Sequence, residues 1–305
     1  VTVNDTTNPV LTCPTITAEY ECLASVPAAY ADYAAFVAAG GELTDNDVVD
    51  YESFALVDAD TNGICPTTIT RTYYIEDTTG NSATCEQVIT IKDSIAPVLA
   101  GTWPTNITGQ DNCVANRNIS GLKSDDAIKA LYSDCNTFTV SHEDTVTGNN
   151  CGWTVTRTYT ITDLCGNTVM PKPTMSVSGR DQTAPALTGT WPANITGQDN
   201  CFANADISGL YTDAQVKDLY NDCNEFTVSH SDANTLTADC GWTITRTYTI
   251  KDACGNTVSP APTMSVSGSD QSAPALTGTW PSNITGQDNC FAAAVTSGLY
   301  TDAQV

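Results

Sequence analysis

The chain has 305 residues, with 35 Asp and Glu against 11 Lys and Arg, a net charge of -24. That balance speaks against nucleic acid and anionic membrane surfaces, which are held by basic patches. With 41% hydrophobic and 15% charged residues, it is too apolar for a disordered acidic tail. No run of 18 apolar residues offers a membrane span.

In chain order, NDTTNPVLTCP (4–14) reads as a stiff joint entering a strand, because proline fixes φ. PAAYADYAAFVAAGG (27–41) reads as a short helix stopped by Gly40 and Gly41. CPTTITRTYYIED, from Cys65, alternates β-branched and aromatic residues with period two, which predicts a strand. The opening then returns three times: DSIAPVLAGTWPTNITGQDNC at 93–113, DQTAPALTGTWPANITGQDNC at 181–201 and DQSAPALTGTWPSNITGQDNC at 270–290. Trp103 and Trp191 are 88 residues apart, and Trp191 and Trp280 are 89 apart. A solenoid repeat is 20–50 residues long; a unit near 90 can hold its own core. Tandem domains are therefore expected at 1–93, 94–181, 182–270 and 271–305, the last incomplete. The fourth copy differs from the third at five of 36 positions, so the chain reads as a window of a longer, recently duplicated array.

Within the second and third copies, SDDAIKALYSDC (124–135) and YTDAQVKDLYNDC (211–223) predict a short helix. Thr212 and Gln215 form a capping box, and Val216, Leu219 and Tyr220 an apolar stripe. It is expected to pack on its own sheet, with contact to a neighbouring domain or chain as the alternative. GWTVTRTYTITD (152–163) places Trp153, Val155, Arg157, Tyr159 and Ile161 on one face and a row of threonines on the other. The pattern recurs at 242–250, and TFTVSH and TMSVSG give shorter strands. The fold class is all-β: tandem immunoglobulin-like sandwiches, each with a helical insertion and about two disulfides. The threonine face reads as a half-exposed strand surface rather than a binding array. Arg71, Arg157 and Arg246 are expected to pair with a carboxylate or stack on an aromatic ring. Trp103, Trp191 and Trp280 are expected to be buried.

Thirteen cysteines held in register indicate an oxidising compartment. Absence of a CxxC pair argues against a zinc knuckle. Four cysteines per domain allow three pairings. Aligning the copies favours Cys22–Cys65, Cys113–Cys151 and Cys201–Cys240 as one shared bridge. Cys13 and Cys85, found only in the first copy, form a second. By remainder, Cys135–Cys165 and Cys223–Cys254 pair, and Cys290 is left odd.

Two motifs flank each junction: DxxGN (Asp77 to Asn81, Asp163 to Asn167, Asp252 to Asn256) and DxxxP (from Asp5, Asp93, Asp181 and Asp270). Both suit turns, since Asp and Asn bond their own backbone and Gly supplies positive φ. They also offer the oxygen ligands calcium takes. The candidate calcium residues are Asp77, Asn81, Asp93, Asp163, Asn167, Asp181, Asp252, Asn256 and Asp270, with Asp111, Asp199 and Asp288 adjacent. His142 and His230 read as strand-end surface residues, and no Gly-x-Ser-x-Gly elbow is present. No enzyme activity is expected.

DTTNPVLTCP, TITRTYYIEDTTGNSATCEQVITIKDSIAPV and TRTYTITDLCGNT together resemble the HYR-type immunoglobulin-like repeats of giant Bacteroidota surface adhesins, over the whole chain. The resemblance implies gliding-motility-type adhesins exported by type IX secretion to the bacterial cell surface. It further implies O-glycosylation at Thr6, Thr78, Ser94 and Thr145. The expected function is a non-enzymatic rod for attachment or gliding, with neighbouring repeats, other filament chains or surface glycans as partners. A polymeric filament assembled by strand or helix exchange and a carbohydrate-binding array are the rival readings.

Overall fold

The computed structural model describes residues 4–237, 240–280, 282, 283 and 285. Val1–Thr183 and Ala184–Val305 form two compact units. Cys290, Asp288 and most of the expected fourth domain lie outside the described residues.

The first unit holds two repeats. In the first, β1 (Val10–Thr12) precedes α1 (Tyr33–Ala38), β2 (Glu42–Thr44), β3 (Val49–Asn62), β4 (Thr67–Asp77) and β5 (Ser82–Ile91). β1 pairs with β2 across a small sheet, and β3-β4-β5 form a three-stranded antiparallel one. Leu11, Phe36, Phe54, Tyr73 and Ile75 fill the core between them. In the second repeat come β6 (Val98–Leu99), β7 (Ile107–Asp111), α2 (Asp125–Lys129), β8 (Tyr132–Ser133), β9 (Phe138–Asn149), β10 (Gly152–Asp163) and β11 (Thr174–Arg180). Its large sheet runs β7-β11-β10-β9, with β7 parallel to β11 and the other pairs antiparallel.

β10 follows the period-two pattern through its whole length. Trp153, Val155, Tyr159 and Ile161 are buried, while the alternating threonines are half-exposed. Burying each such apolar side chain contributes roughly 1.5–3 kcal/mol. The Trp153 indole N–H donates to Asn112 O at 2.9 Å, so no buried donor is left unmade. Arg157, on the same face, forks onto Asp144 with two bonds of 2.7 Å, as expected of a charge at a strand's inner face.

The second unit repeats this plan: β12 (Ala186–Leu187), β13 (Ile195–Gln198), α3 (Asp213–Lys217), β14 (Tyr220–Asn221), β15 (Phe226–Leu236), β16 (Gly241–Asp252) and β17 (Thr263–Ser269). Its core gathers Leu210, Val216, Trp242, Tyr248, Ile250 and Val266. Arg246 forks onto Asp232 at 2.8 Å, whereas Arg71 instead donates to the Pro27 carbonyl.

The helices are shorter than their apolar stripes suggest. Thr212 and Gln215 do form the capping box, but α3 stops at Lys217. Leu219 O accepts from Thr188 N and Gly189 N, and Tyr220 pairs with Leu187 as a strand. Sheet pairing thus claims the backbone that a further helical turn would need. In the first repeat the α-helix spans only Tyr33–Ala38, capped by Asp32, whose Oδ1 accepts from Ala35 N at 2.8 Å. Gly40 follows at φ +97° and ends it. Trp103 and Trp191 are half-buried rather than buried, because each indole lies across a tyrosine edge and donates outward to a strand carbonyl. Trp280 is 61% exposed.

Candidate functional site: the joint between repeats

The joint of the first unit begins where β5 ends. Tyr20 bridges to Ile91 in parallel, and Lys92 N donates to Tyr20 O at 2.8 Å. The connecting residues are then held on both sides. The Glu21 carboxylate of the first repeat accepts from Ser94 N at 2.7 Å and Ser94 Oγ at 2.8 Å. Those bonds hold its pKa below the usual range. Asp93, 6% exposed, faces the second repeat. Its Oδ2 accepts from Asn136 Nδ2 at 2.6 Å, and its backbone oxygen accepts from Asn167 Nδ2 at 3.1 Å.

Asn167 also ties the joint to β10. Its backbone N–H donates to Asp163 Oδ1 and its amide to Asp163 Oδ2, both at 2.8 Å. The same arrangement recurs in the first repeat. Asn81 donates twice to Asp77 and once to Asp5 O. The DxxGN and DxxxP motifs are therefore two halves of one structure: the turn after the central strand grips the segment entering its own repeat. At Asp252, Asn256 donates to both carboxylate oxygens at 2.8 and 2.7 Å. Burial raises the Asp77 pKa, but bonds from Asn81 and Thr79 outweigh it and bring it to about 2.

Two disulfides cross the joint. Cys22 bonds to Cys135 and Cys65 to Cys165, with Cα atoms 5.7 and 5.4 Å apart. This corrects the expected Cys22–Cys65 and Cys135–Cys165 bridges inside each repeat. Cys22, and Cys65 at the β3–β4 hairpin, lie at the pole facing the next repeat. Cys135, and Cys165 in the turn after β10, lie at the pole facing the previous one. Bonds within a repeat and bonds to the next repeat have the same sequence period, so alignment of copies does not separate them. Cys13–Cys85 forms as expected and ties β1 to β5. Cys113, Cys151, Cys223 and Cys254 are disulfide-bonded as well. Cys201 and Cys240 are exposed free thiols, which corrects the expected bridge between them.

The expected calcium residues fall into different settings. Asp77 joins Asp5 and Asp45, with one carboxylate oxygen from each within 4.8 Å of the others. Asp45 Oδ2 is buried without a hydrogen-bond partner. An all-oxygen set of this kind fits a hard divalent cation. Asp93 instead lies with Asp134 and Cys135, where the sulfur is spent in a disulfide and Asn136 presents an N–H. Burial pushes the Asp134 carboxyl up. Asp181 is buried and accepts from Thr183 N at 3.1 Å. Asp270 Oδ2 accepts from the Cys201 thiol at 3.2 Å, which raises the Cys201 pKa and lowers that of Asp270.

Asp111 and Asp199 act as clamps on the connecting segments. Asp111 accepts from Gln182 N at 2.7 Å and Thr183 Oγ1 at 3.1 Å; Asp199 accepts from Gln271 N at 2.7 Å. They do what Glu21 does in the first repeat, a role the sequence reading missed. Its signal was present: each lies just before a repeat-register cysteine. His142 and His230 contact Asp125 at 2.6 Å and Asp213 at 2.5 Å, pinning the long hairpin to the start of each helix. Thr6, Thr78, Ser94 and Thr145 are all exposed, with the Ser94 hydroxyl bonded to Glu21.

No protein-family model matches the chain, and no curated protein does. Among solved structures, it is similar to mouse protocadherin-24 EC1-3 at 12% identity, over 73% of this chain and 89% of that one, with a TM-score of 0.26. It is similar to Drosophila N-cadherin EC1-4 at 11%, over 88% and 76%, with a TM-score of 0.26. A third likeness is to the human desmocollin-1 ectodomain, at 10% over 68% and 47%, with a TM-score of 0.21. The all-β sandwich assignment stands on the sheets and registers above rather than on these likenesses. Among the described residues, no helix is long and apolar enough to cross a membrane.

Proposed function

We propose that this chain is a non-enzymatic segment of an extracellular adhesion array, in which consecutive β-sandwiches are bolted together covalently to carry tension. One observation carries the reading: Cys22–Cys135 and Cys65–Cys165 join two repeats. Two struts at separate points resist both hinging and twisting, where one would resist neither fully. Closing loops of about 100 residues contributes on the order of 4–5 kcal/mol per bond on the chain-entropy view. Disulfides at this density belong to an oxidising, extracytoplasmic compartment.

Three finer features belong to the same proposal. The array is a bacterial cell-surface adhesin of the gliding-motility kind, exported by type IX secretion, as the sequence resemblance implies. Calcium is held at Asp5, Asp45 and Asp77, supported by the unpartnered Asp45 oxygen. Thr6, Thr78, Ser94 and Thr145 carry O-linked glycans, for which their exposure leaves room.

Single-molecule stretching of the oxidised and reduced chain tests the mechanical reading. The Cys22–Cys135 bond hides 113 residues from force, about 370–410 Å of contour length at 3.3–3.6 Å per residue. That length should be released only after reduction. Its release from oxidised protein would overturn the proposal.

A further inference from the structure

Cys201 and Cys240 are chemically unlike their counterparts. Cys22, Cys113 and Cys201 each immediately precede a three-residue 3-10 turn. Cys65, Cys151 and Cys240 each stand just before the central strand, at the tip of the long hairpin. Cys22 and Cys65 are bonded to the following repeat, and Cys113 and Cys151 are also disulfide-bonded. Cys201 and Cys240 occupy the same two places as exposed thiols.

The surroundings match a joint as well. Asp199 clamps Gln271 N and Ser272 Oγ, as Glu21 clamps Ser94. Asp270 stands where Asp93 stands: Asp93 Oδ2 lies 3.8 Å from the sulfur of Cys135, the partner of Cys22, and Asp270 Oδ2 lies 3.2 Å from the sulfur of Cys201, the counterpart of Cys22. The two thiols share a cavity of about 230 Å³ with Phe202, Leu236, Trp242 and Asp270. Leu236 is 62% exposed there, an apolar wall beside two nucleophiles.

We propose that Cys201 and Cys240 form a paired disulfide joint with another repeat of this same kind, resting on the covalent-array reading above. Cys201 takes the cysteine standing where Cys135 stands, in the sequence Asp-Cys-Asn. Cys240 takes the one standing where Cys165 stands, in Cys-Gly-Asn. Continuity with the joint of the first unit identifies the occupant. The incoming Asn, equivalent to Asn136, donates to Asp270 Oδ2 in place of the Cys201 thiol. Each bond forms from two thiols, which lose two protons and two electrons to the disulfide of oxidised glutathione; that disulfide leaves as two glutathione thiols.

The test extends the full chain by a copy of residues 217–270 appended after Val305, which completes a fourth repeat in register; Cys290→Ser and the copy's own Cys240→Ser remove its other thiols, and Glu225→Asp and Ala253→Ser in the copy give its peptides distinct masses. The protein is oxidised with glutathione, alkylated with iodoacetamide and digested without reduction for peptide mass spectrometry. The expected result is Cys201 linked to the appended copy of Cys223, Cys240 linked to the appended copy of Cys254, and loss of alkylation at all four. In a Cys201→Ser, Cys240→Ser variant of the extended chain, the two appended cysteines should instead become alkylated. A Cys201–Cys240 peptide, the crossed pairing, or alkylation of both thiols in the extended chain would overturn the inference. Cys22–Cys135 and Cys65–Cys165 peptides in the same digest report on the array reading itself. Their loss would fail that reading, while their presence alongside a Cys201–Cys240 peptide fails this inference alone.

Discussion

Cys22 of the first repeat is bonded to Cys135 of the second, 113 residues away in sequence, with Cα atoms 5.7 Å apart. Beside it, Asp93 accepts a hydrogen bond from Asn136, the residue that follows Cys135. Covalent and polar ties therefore meet at one place, which makes their separate contributions measurable.

Removing the covalent tie tests the first. A Cys22→Ser, Cys135→Ser double variant should fold with Cys65–Cys165 intact and lose about 2–5 kcal/mol of stability. Denaturant unfolding of the two oxidised proteins measures this, and unchanged stability would deny the bond a mechanical role.

Removing the polar tie tests the second. Asn167→Ala deletes the amide's bonds to Asp163 and to the Asp93 carbonyl. A cost of about 1–3 kcal/mol is expected, because buried acceptors lose their donors. Faster amide hydrogen exchange at residues 93–97 should accompany it, whereas an effect confined to β10 would show that Asn167 serves only its own turn.

Acid stability follows from Asp77. Its pKa is about 2 in the folded chain, against an ordinary value of 3.8. A depressed carboxylate contributes stability above its unfolded pKa and loses it as pH falls through the folded one. The first repeat should therefore weaken between about pH 4 and pH 2. Asn81→Ala should move that loss to higher pH, read from tyrosine fluorescence during acid titration; an unmoved midpoint would contradict the assignment.

Opposite faces of β10 should respond differently to the same chemistry. Ile161→Ala, at a fully buried site, should cost about 2–5 kcal/mol. Thr160→Ala, on the half-exposed face, should cost under about 1 kcal/mol. Equal losses in urea unfolding would mean that the faces are misassigned.

Calcium should raise the melting temperature of the chain, and Asp45→Asn should abolish that rise. At 100 times Kd the gain is about 2.7 kcal/mol. Calorimetry with calcium and with EDTA measures it, and a rise that survives Asp45→Asn would place the ion elsewhere.

The central strands were legible because β10 obeys a period of two over twelve residues, a signal local to the strand. Thr212 and Gln215 were legible as a cap for the same reason. The helix ends were not, since Leu219 and Tyr220 are decided by pairing with residues some thirty positions earlier. The disulfide partners were not, because a bond from one repeat to the next keeps the same period as a bond within one. Asp45, in the first repeat, joins Asp5 and Asp77 only through the fold. No spacing in the sequence points to it.

The staggered bonds also change what a single cut can do. With Cys13–Cys85, Cys22–Cys135 and Cys65–Cys165 in place, every peptide bond from residue 13 to residue 165 is bypassed by another covalent route. A protease that nicks an exposed loop anywhere in that span opens a loop but frees no fragment. Severing the chain in that span takes at least two events, one of them often a reduction, so cuts accumulate before the two ends part.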